Sequence, residues 1–246
     1  AQTTMEGPFY NGAWLLSARR TYFDYLLPKI LPASTAAKIP PYYFYDLQGH
    51  IFSDLNEKDR ISVSIYRGID DLIFDNLGLT ADWGNNTYSL SFRRVFNEKL
   101  VGNFLVASSE FFTNFNLGGN DGLNSENKIL DQTLSANLTF FQSSDLEWRT
   151  GAQIKQLDFK YLNTFLEDTS FYIGENPIEA GFYTKLKWKG FSRFIIEPGL
   201  RYNYYSVYSS TPYIDLRLGT KYLLTDDRYI NIAFGNYHQF IQTVQD

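Results

Sequence analysis

The stretch that decides the fold is FIIEPGLRYNY, residues Phe194 to Tyr204. Its even-numbered positions are apolar or aromatic, whereas its odd-numbered positions include Glu197, Gly199, Arg201 and Asn203. An alternation of period two places these two sets on opposite faces of a β-strand. A soluble sheet would bury the apolar face against a protein core, and a transmembrane barrel would turn that face towards lipid and the polar face towards its lumen. This strand alone fits both architectures.

The same alternation recurs along most of the chain, in residues 60–68, 87–93, 133–140, 146–155, 179–188, 214–222 and 229–235. The pattern is weaker in residues 14–25, where Arg19 and Arg20 are adjacent. One of these two arginines must face the apolar side unless it lies near an interface or a β-bulge intervenes. Together the segments predict about twelve strands, each near the roughly 9–11 residues that a tilted membrane-spanning strand needs, plus extensions.

Composition limits the class of protein. The 246 residues suffice for one large β domain, and the absence of cysteine excludes a disulfide framework and a cysteine-ligated metal site. The sequence has none of the apolar runs of about 18 residues that a helical membrane protein carries. Aromatic residues make up 18% of the chain, which fits aromatic girdles at two membrane interfaces. The net charge of -5 argues against a nucleic-acid partner.

The connections alternate between short polar turns and longer links. Short turns are predicted at 10–12, 56–59, 97–99, 143–145, 190–192 and 225–228, and longer links at 26–41, 69–79, 116–126, 162–177 and 207–212. Short periplasmic turns and long extracellular loops are typical of outer-membrane barrels. We therefore expect an all-β, antiparallel up-and-down transmembrane β-barrel over residues 1–246. With the short turns in the periplasm, the first strand would start outside and the last would end outside, so we expect an internal piece of a larger barrel.

Four stretches carry a resemblance to a known family. IEPGLRYNYY, residues 196–205, resembles the Glu-Pro-Gly-Leu-Arg-Tyr strand of TonB-dependent outer-membrane transporters. The residues from Thr211 to Phe240 resemble the next hairpin of that family, with an Asp-rich turn and a strand closing on Gly-x-Tyr-x-Gln. GAWLLSARRTYFDYL (12–26) and the segment 42–68 are similar to the early barrel of such receptors, especially from the Bacteroidetes lineage.

The resemblance implies a part in a barrel of about 22 strands in the outer membrane of a Gram-negative bacterium. It implies active uptake of a scarce nutrient, such as a metal chelate, cobalamin or an oligosaccharide, with no enzymatic activity and no cofactor. The implied partners are the lipid bilayer, the family's plug domain, TonB through an N-terminal segment, and a surface lipoprotein or another outer-membrane protein. The plug and the TonB-binding segment are not found in these residues. The alternatives are a passive porin-like channel and a structural barrel subunit of an outer-membrane complex.

The candidate site is a set of charged residues at the polar positions of consecutive strands, which we expect to face the lumen. They are Arg149, Lys155, Glu179, Lys185, Lys187, Glu197, Arg201, Asp215, Arg217 and Lys221. Opposite charges on neighbouring strands stabilise a sheet by roughly 0.2–1 kcal/mol per pair. Two interpretations stay open: a structural ladder that wets the lumen or holds the plug, and direct contact with the substrate.

Three weaker features complete the prediction. Asn120, Asp121 and Asn124 lie in an oxygen-rich stretch that is either a calcium-binding loop or a Gly/Asn turn. His50 lies on the same predicted strand face as Asp46 and Asp54, so a metal or acid–base pair and a simple hydrogen-bonded histidine are the alternatives. Aromatic residues near the strand ends are expected to anchor the barrel at the membrane interfaces, namely Trp14, Trp148, Trp188, Tyr202, Tyr204 and Tyr222.

Overall fold

The computed structural model describes residues 1–36, 39, 41–74, 77–119, 121–166, 168–207, 212–225 and 227–239. Thirteen strands form one antiparallel sheet. The strands are β1 (Gln2–Phe9), β2 (Gly12–Arg20), β3 (Tyr42–Asp54), β4 (Asp59–Phe74), β5 (Leu79–Asn97), β6 (Leu100–Leu117), β7 (Leu123–Phe141), β8 (Leu146–Phe165), β9 (Asp168–Glu175), β10 (Ile178–Phe191), β11 (Phe194–Tyr205), β12 (Tyr213–Leu223) and β13 (Tyr229–Gly235). Two short helices, α1 (Phe23–Ile30) and α2 (Ala33–Ala36), lie between β2 and β3.

Each strand pairs with the next in the order β1 to β8 and then β10 to β13, which gives twelve strands in continuous up-and-down succession. The remaining strand, β9, pairs with β8, so β9 and β10 follow one another along the same edge of β8. No ladder in the described part of the chain joins β1 to β13. The predicted all-β, antiparallel up-and-down fold is confirmed.

The register keeps the apolar and polar side chains on separate faces. Leu200 lies opposite Leu216 on the next strand, and Phe182 lies opposite Ala152. On this apolar face, Leu134 and Leu216 are 57% and 60% exposed. Among the described residues, Leu157 and Tyr205 are the only buried large hydrophobic side chains. The apolar face is therefore the exposed one, and no second layer from the described part of the chain covers it.

The central strands are longer than the sequence predicts. Strands β5 to β8 contain 19, 18, 19 and 20 residues. The predicted links 69–79, 116–126 and 162–177 are wrong in large part, because strand residues occupy most of each. Charged residues take the exposed face in these extensions, with Lys128 2.7 Å from Glu110 and Lys160 2.5 Å from Glu126. The hydropathy alternation is lost there although the backbone ladder continues.

Strand β2 ends at Arg20, so the predicted strand through residue 25 is wrong over its last five positions. Arg19 lies on the polar face and donates to Asp46 at 2.7 Å. Arg20 lies on the apolar side at the strand end, where it bonds Asp24 of α1 at 2.9 Å and stacks on Tyr43 at 5.0 Å. The adjacent arginines thus need no bulge. Neither of the helices in the described ranges is long and apolar enough to cross a membrane.

The aromatic residues predicted as interface anchors all lie on the apolar face by the strand register. Several gather beside the turn between β10 and β11. The rings of Trp188 and Phe191 are 5.1 Å apart, and those of Phe194 and Tyr222 are 4.6 Å apart. Their role as membrane anchors stays a prediction.

Candidate functional site

The register places all ten predicted charged residues on the polar face of strands β8 to β12. Arg149 lies opposite Lys185, and Lys155 lies opposite Glu179. Arg201 lies opposite Asp215. A row of residues runs from Lys185 through Gly199 to Arg217, one from each successive strand. The chain thus presents one continuous charged surface over the four adjacent strands β8, β10, β11 and β12, and its exposure to a lumen stays a prediction.

Most cations on this surface have a carboxylate partner. Glu197 lies between two lysines, 3.9 Å from Lys185 and 3.5 Å from Lys187. Lys155 bonds Asp131 at 3.3 Å. Arg149 pairs with Glu147 on its own strand. These partially exposed pairs each contribute about 0–1 kcal/mol to stability. Their main effect is therefore to alternate positive and negative charge along the polar face.

The surface has one buried centre, at the start of β12. The Asp215 side chain is 1% exposed, and it accepts a 2.9 Å hydrogen bond from the amide of Asn203, which is 3% exposed. Nδ1 of His238 lies 2.5 Å from its other oxygen, and Arg217 lies 3.5 Å from the oxygen shared with Asn203. Arg201 donates to the side-chain oxygen of Asn203 at 2.6 Å. Burying a carboxylate is costly unless it is paired and hydrogen-bonded, and this network supplies both.

Two members of the centre lie outside the ten charged residues predicted from the sequence. His238 follows β13, which runs antiparallel to β12 and ends with Gly235 opposite Arg217. The next residues therefore lie alongside the start of β12, where His238 contacts Asp215. Nothing in the local sequence around His238 reveals this pairing. Asn203 carries no charge and so is not part of the predicted charged set, although its odd position on β11 places it on the polar face.

Glycines open a hollow beside this centre. Gly199 separates Lys185 from Arg217, and Arg217 lies over the ring of Tyr237 at 4.5 Å. The charged residues lining the hollow are four cations and one carboxylate, namely Arg149, Lys185, Arg201, Arg217 and Glu197. Such an excess of guanidinium and ammonium groups suits a carboxylate-bearing partner. Further along β12, Lys221 lies over the ring of Tyr229 at 3.6 Å.

The weaker candidates are distributed differently. Asn120 lies outside the described residues, Asp121 is exposed, and Asn124 is part of β7, where its side-chain oxygen accepts a hydrogen bond from Asn116. No described group of three or more His, Cys, Asp and Glu side chains is placed to hold a metal ion.

His50 is hydrogen-bonded to Ser64 at 2.8 Å. Both acids that the sequence placed near it have arginine partners instead: Asp46 pairs with Arg19, and Asp54 pairs with Arg60. The structure therefore does not assemble an acid–base pair around His50.

Solved structures of outer-membrane receptors resemble this chain. FpvA of Pseudomonas aeruginosa, bound to heterologous pyoverdines, matches with a TM-score of 0.74 and 12% identity over 94% of this chain and 39% of its own. The siderophore receptor PirA of the same organism matches with a TM-score of 0.65 and 13% identity over 95% and 38%. The alcaligin receptor FauA of Bordetella pertussis matches with a TM-score of 0.69 and 11% identity over 92% and 38%.

The chain has the barrel fold of outer-membrane receptors. It spans about two fifths of the length of these structures. The resemblance read from the sequence agrees with these neighbours at the level of fold. Neither a protein-family model nor a curated protein matches the sequence.

Proposed function

We propose that this chain is part of the barrel wall of a TonB-dependent transporter in the outer membrane of a Gram-negative bacterium. The observation that carries the proposal is the exposed apolar face. A sheet with aliphatic and aromatic side chains such as Leu134 and Leu216 on its open side needs an apolar surrounding, and lipid supplies it. The barrel fold shared with outer-membrane receptors supports the same location.

The polar face is the proposed lumen side. Its ion pairs, such as Lys155 with Asp131, act as a structural ladder that keeps the charged wall wetted. The hollow around Arg201 and Arg217 carries more positive than negative charge. We assign it to contact with acidic groups of a plug domain, and direct contact with substrate is the alternative.

The proposed substrate class is a metal chelate. The support comes from the neighbours, whose names identify siderophore receptors, a copper transporter and a hemophore receptor. Cobalamin and oligosaccharides are the competing classes. The early-barrel motifs in residues 12–26 and 42–68 support a Bacteroidetes-like origin, for which a surface lipoprotein is a natural partner. A complete barrel of about 22 strands with a plug follows from the same proposal.

An uptake experiment tests the function. The gene is deleted in its native host, and the accumulation of a radiolabelled ferric chelate is compared between parent and mutant with and without an uncoupler of the inner-membrane proton gradient. We expect the parent to accumulate the chelate, and both deletion and uncoupler to abolish this accumulation. Gene-dependent accumulation that continues after uncoupling would identify a passive channel and overturn the proposal. Unchanged accumulation in the mutant would rule out this chelate as its substrate.

A further inference from the structure

Helix α1 presents an apolar stripe that no other part of the described chain covers. Phe23, Leu26, Leu27 and Ile30 follow the spacing i, i+3, i+4, i+7 that defines one side of a helix. Phe23, Leu26 and Ile30 are 54%, 46% and 71% exposed, and no residue of α1 is buried. The opposite side carries Asp24, Tyr25 and Lys29. An amphipathic helix that leaves its apolar side open is stable only when something apolar covers that side.

The position of α1 indicates what covers it. The outward side chains of β2 run Trp14, Leu16 and Ala18, and the next outward residue is Arg20, the last of the strand. Arg20 bonds Asp24 in the first turn of α1 at 2.9 Å. The guanidinium of Arg20 also lies 5.0 Å from the ring of Tyr43, an outward residue of β3. The helix is thus fixed to the apolar side of the sheet, directly beyond the last apolar outward residue of β2.

We propose that α1 lies in the membrane surface, with its apolar stripe inserted among lipid chains at the headgroup boundary. This inference rests on the proposed lipid-facing role of the apolar face. The apolar stripe of α1 follows directly on the apolar face of the sheet, so the same membrane covers both surfaces. Interfacial helices combine a charged side with an apolar side that enters the headgroup–acyl boundary, and α1 has this composition.

Lys29 supplies the polar contact. Its ammonium lies 3.6 Å from the centre of the Tyr25 ring, on the polar side of the helix, and it forms no ion pair with a carboxylate in the described part of the chain. A lysine in this position extends its apolar stem along the interface and places its charge among the headgroups. The ligand of Lys29 is therefore the phosphate of an anionic lipid. Arg20 is occupied by Asp24 and acts as the tether.

Depth-dependent quenching tests the position of the helix. The sequence has no cysteine, so a single introduced thiol carries an NBD fluorophore at one known place. Leu26→Cys marks the apolar stripe, Tyr25→Cys marks the opposite side of the same helix, and Leu216→Cys marks the apolar face of the sheet. The labelled proteins are reconstituted into vesicles of phosphatidylcholine and phosphatidylglycerol that contain doxyl-lipid quenchers at both shallow and deep positions of the acyl chain.

We expect strong quenching at positions 26 and 216 and several-fold weaker quenching at position 25. Equal, weak quenching at 25 and 26 with strong quenching at 216 would overturn the proposal for α1 and leave the lipid-facing wall intact. Weak quenching at 216 would overturn the lipid-facing wall, and this inference with it. Shielding of position 26 that occurs in native outer membranes but not in vesicles would identify a protein partner and overturn the proposal.

The phosphate contact has its own control. Lys29→Gln is combined with the label at position 26, and vesicles with and without phosphatidylglycerol are compared. We expect the substitution to reduce quenching at position 26 in anionic vesicles and to leave it unchanged in pure phosphatidylcholine. An equal effect in both lipids, or no effect in either, would overturn the assignment of Lys29 to an anionic headgroup.

Discussion

The side-chain amide of Asn203 donates a 2.9 Å hydrogen bond to the carboxylate of Asp215, and both residues are almost completely buried in the polar face. This bond joins neighbouring strands β11 and β12. His238 and Arg217 contact the same carboxylate from two further directions. The charge of Asp215 is therefore the point on which the surrounding polar groups converge.

Removing that charge should destabilise the sheet. In an Asp215→Ala variant the buried amide of Asn203 loses its acceptor, which costs about 1–3 kcal/mol. Asp215→Asn retains the shape and an acceptor oxygen, so a smaller loss is expected. The measurement is the free energy of unfolding in urea for the protein in lipid vesicles. If the alanine variant is as stable as the parent, the network around Asp215 has no structural role.

A charge on the apolar face should be far more costly than a change on the polar face. Leu216→Arg would place a guanidinium in lipid, and the expected loss is about 2–4 kcal/mol if the residue lies near the bilayer midplane. Leu216→Ala separates the loss of the leucine side chain from the cost of the charge. Arg217→Lys, at the next position on the opposite face, should cost under about 1 kcal/mol. Equal tolerance of charge on both faces, measured by the same unfolding experiment, would contradict the assignment of the faces.

Of two glycines on the polar face, only one should lose stability when replaced by alanine. A Cβ added at Gly151 would lie 2.4 Å from the side-chain oxygen of Asn137 and 2.6 Å from the ring of Tyr183, which are themselves hydrogen-bonded at 2.8 Å. Gly151→Ala should therefore cost about 1–3 kcal/mol through overpacking. At Gly219 the nearest atom, Cβ of Glu197, would be 3.7 Å away, an ordinary contact. Gly219→Ala is the matched control, and a loss at Gly219 as large as at Gly151 would contradict the packing argument.

The turn between β3 and β4 should contribute a pH-dependent stability. Arg60 donates two hydrogen bonds to Asp54, at 2.6 and 2.8 Å, and these hold the pKa of the Asp54 carboxyl below its ordinary value of 3.8. Because the folded pKa is the lower one, this stability is fully present above the pKa of the unfolded chain. It is lost as the pH falls through the pKa of the folded state.

The comparison of parent and Asp54→Asn tests this. Unfolding free energies are measured at pH 6 and at successively lower values down to about pH 3, across the range where unfolded aspartate is protonated. The parent should lose more stability than the variant over this interval. Parallel curves would show that the Asp54–Arg60 pair makes no net contribution to folding.

The alternation of side chains predicted the faces of the strands well, because a period of two survives wherever one face is apolar and the other polar. Residues 214–222 and 229–235 are examples, and both coincide with strands. The same reasoning failed in the extensions of the central strands. In the first half of β7 and the second half of β8, Glu126 and Lys160 occupy the face that is apolar in the rest of these strands. The hydropathy pattern is therefore lost there, although the hydrogen-bonded ladder continues.

The candidate site was predictable in part for a similar reason. The odd-numbered positions of Arg149 and Lys185 place them on the polar face, but the alternation does not show which side chains meet across neighbouring strands. Glu147 and Asp131 became visible as partners only through the register. The contact of His238 with Asp215 spans a hairpin and a stretch of chain outside any strand. Helix α1 was missed because its first three residues were assigned to the strand 14–25 and the rest to the link 26–41, and no side-chain cap marks its start.

The 20 residues of β8 extend over about 65 Å along the strand, and a bilayer needs roughly half of them. In the proposed barrel, the remainder is paired with β7 on one side and β9 on the other and extends into water as a rigid strand ladder. A molecule arriving from the medium meets backbone whose dihedral angles are already fixed, so docking there loses little chain entropy. Binding to this extended part of the sheet will depend on its shape and on a few side chains, and less on the folding of a loop around the ligand.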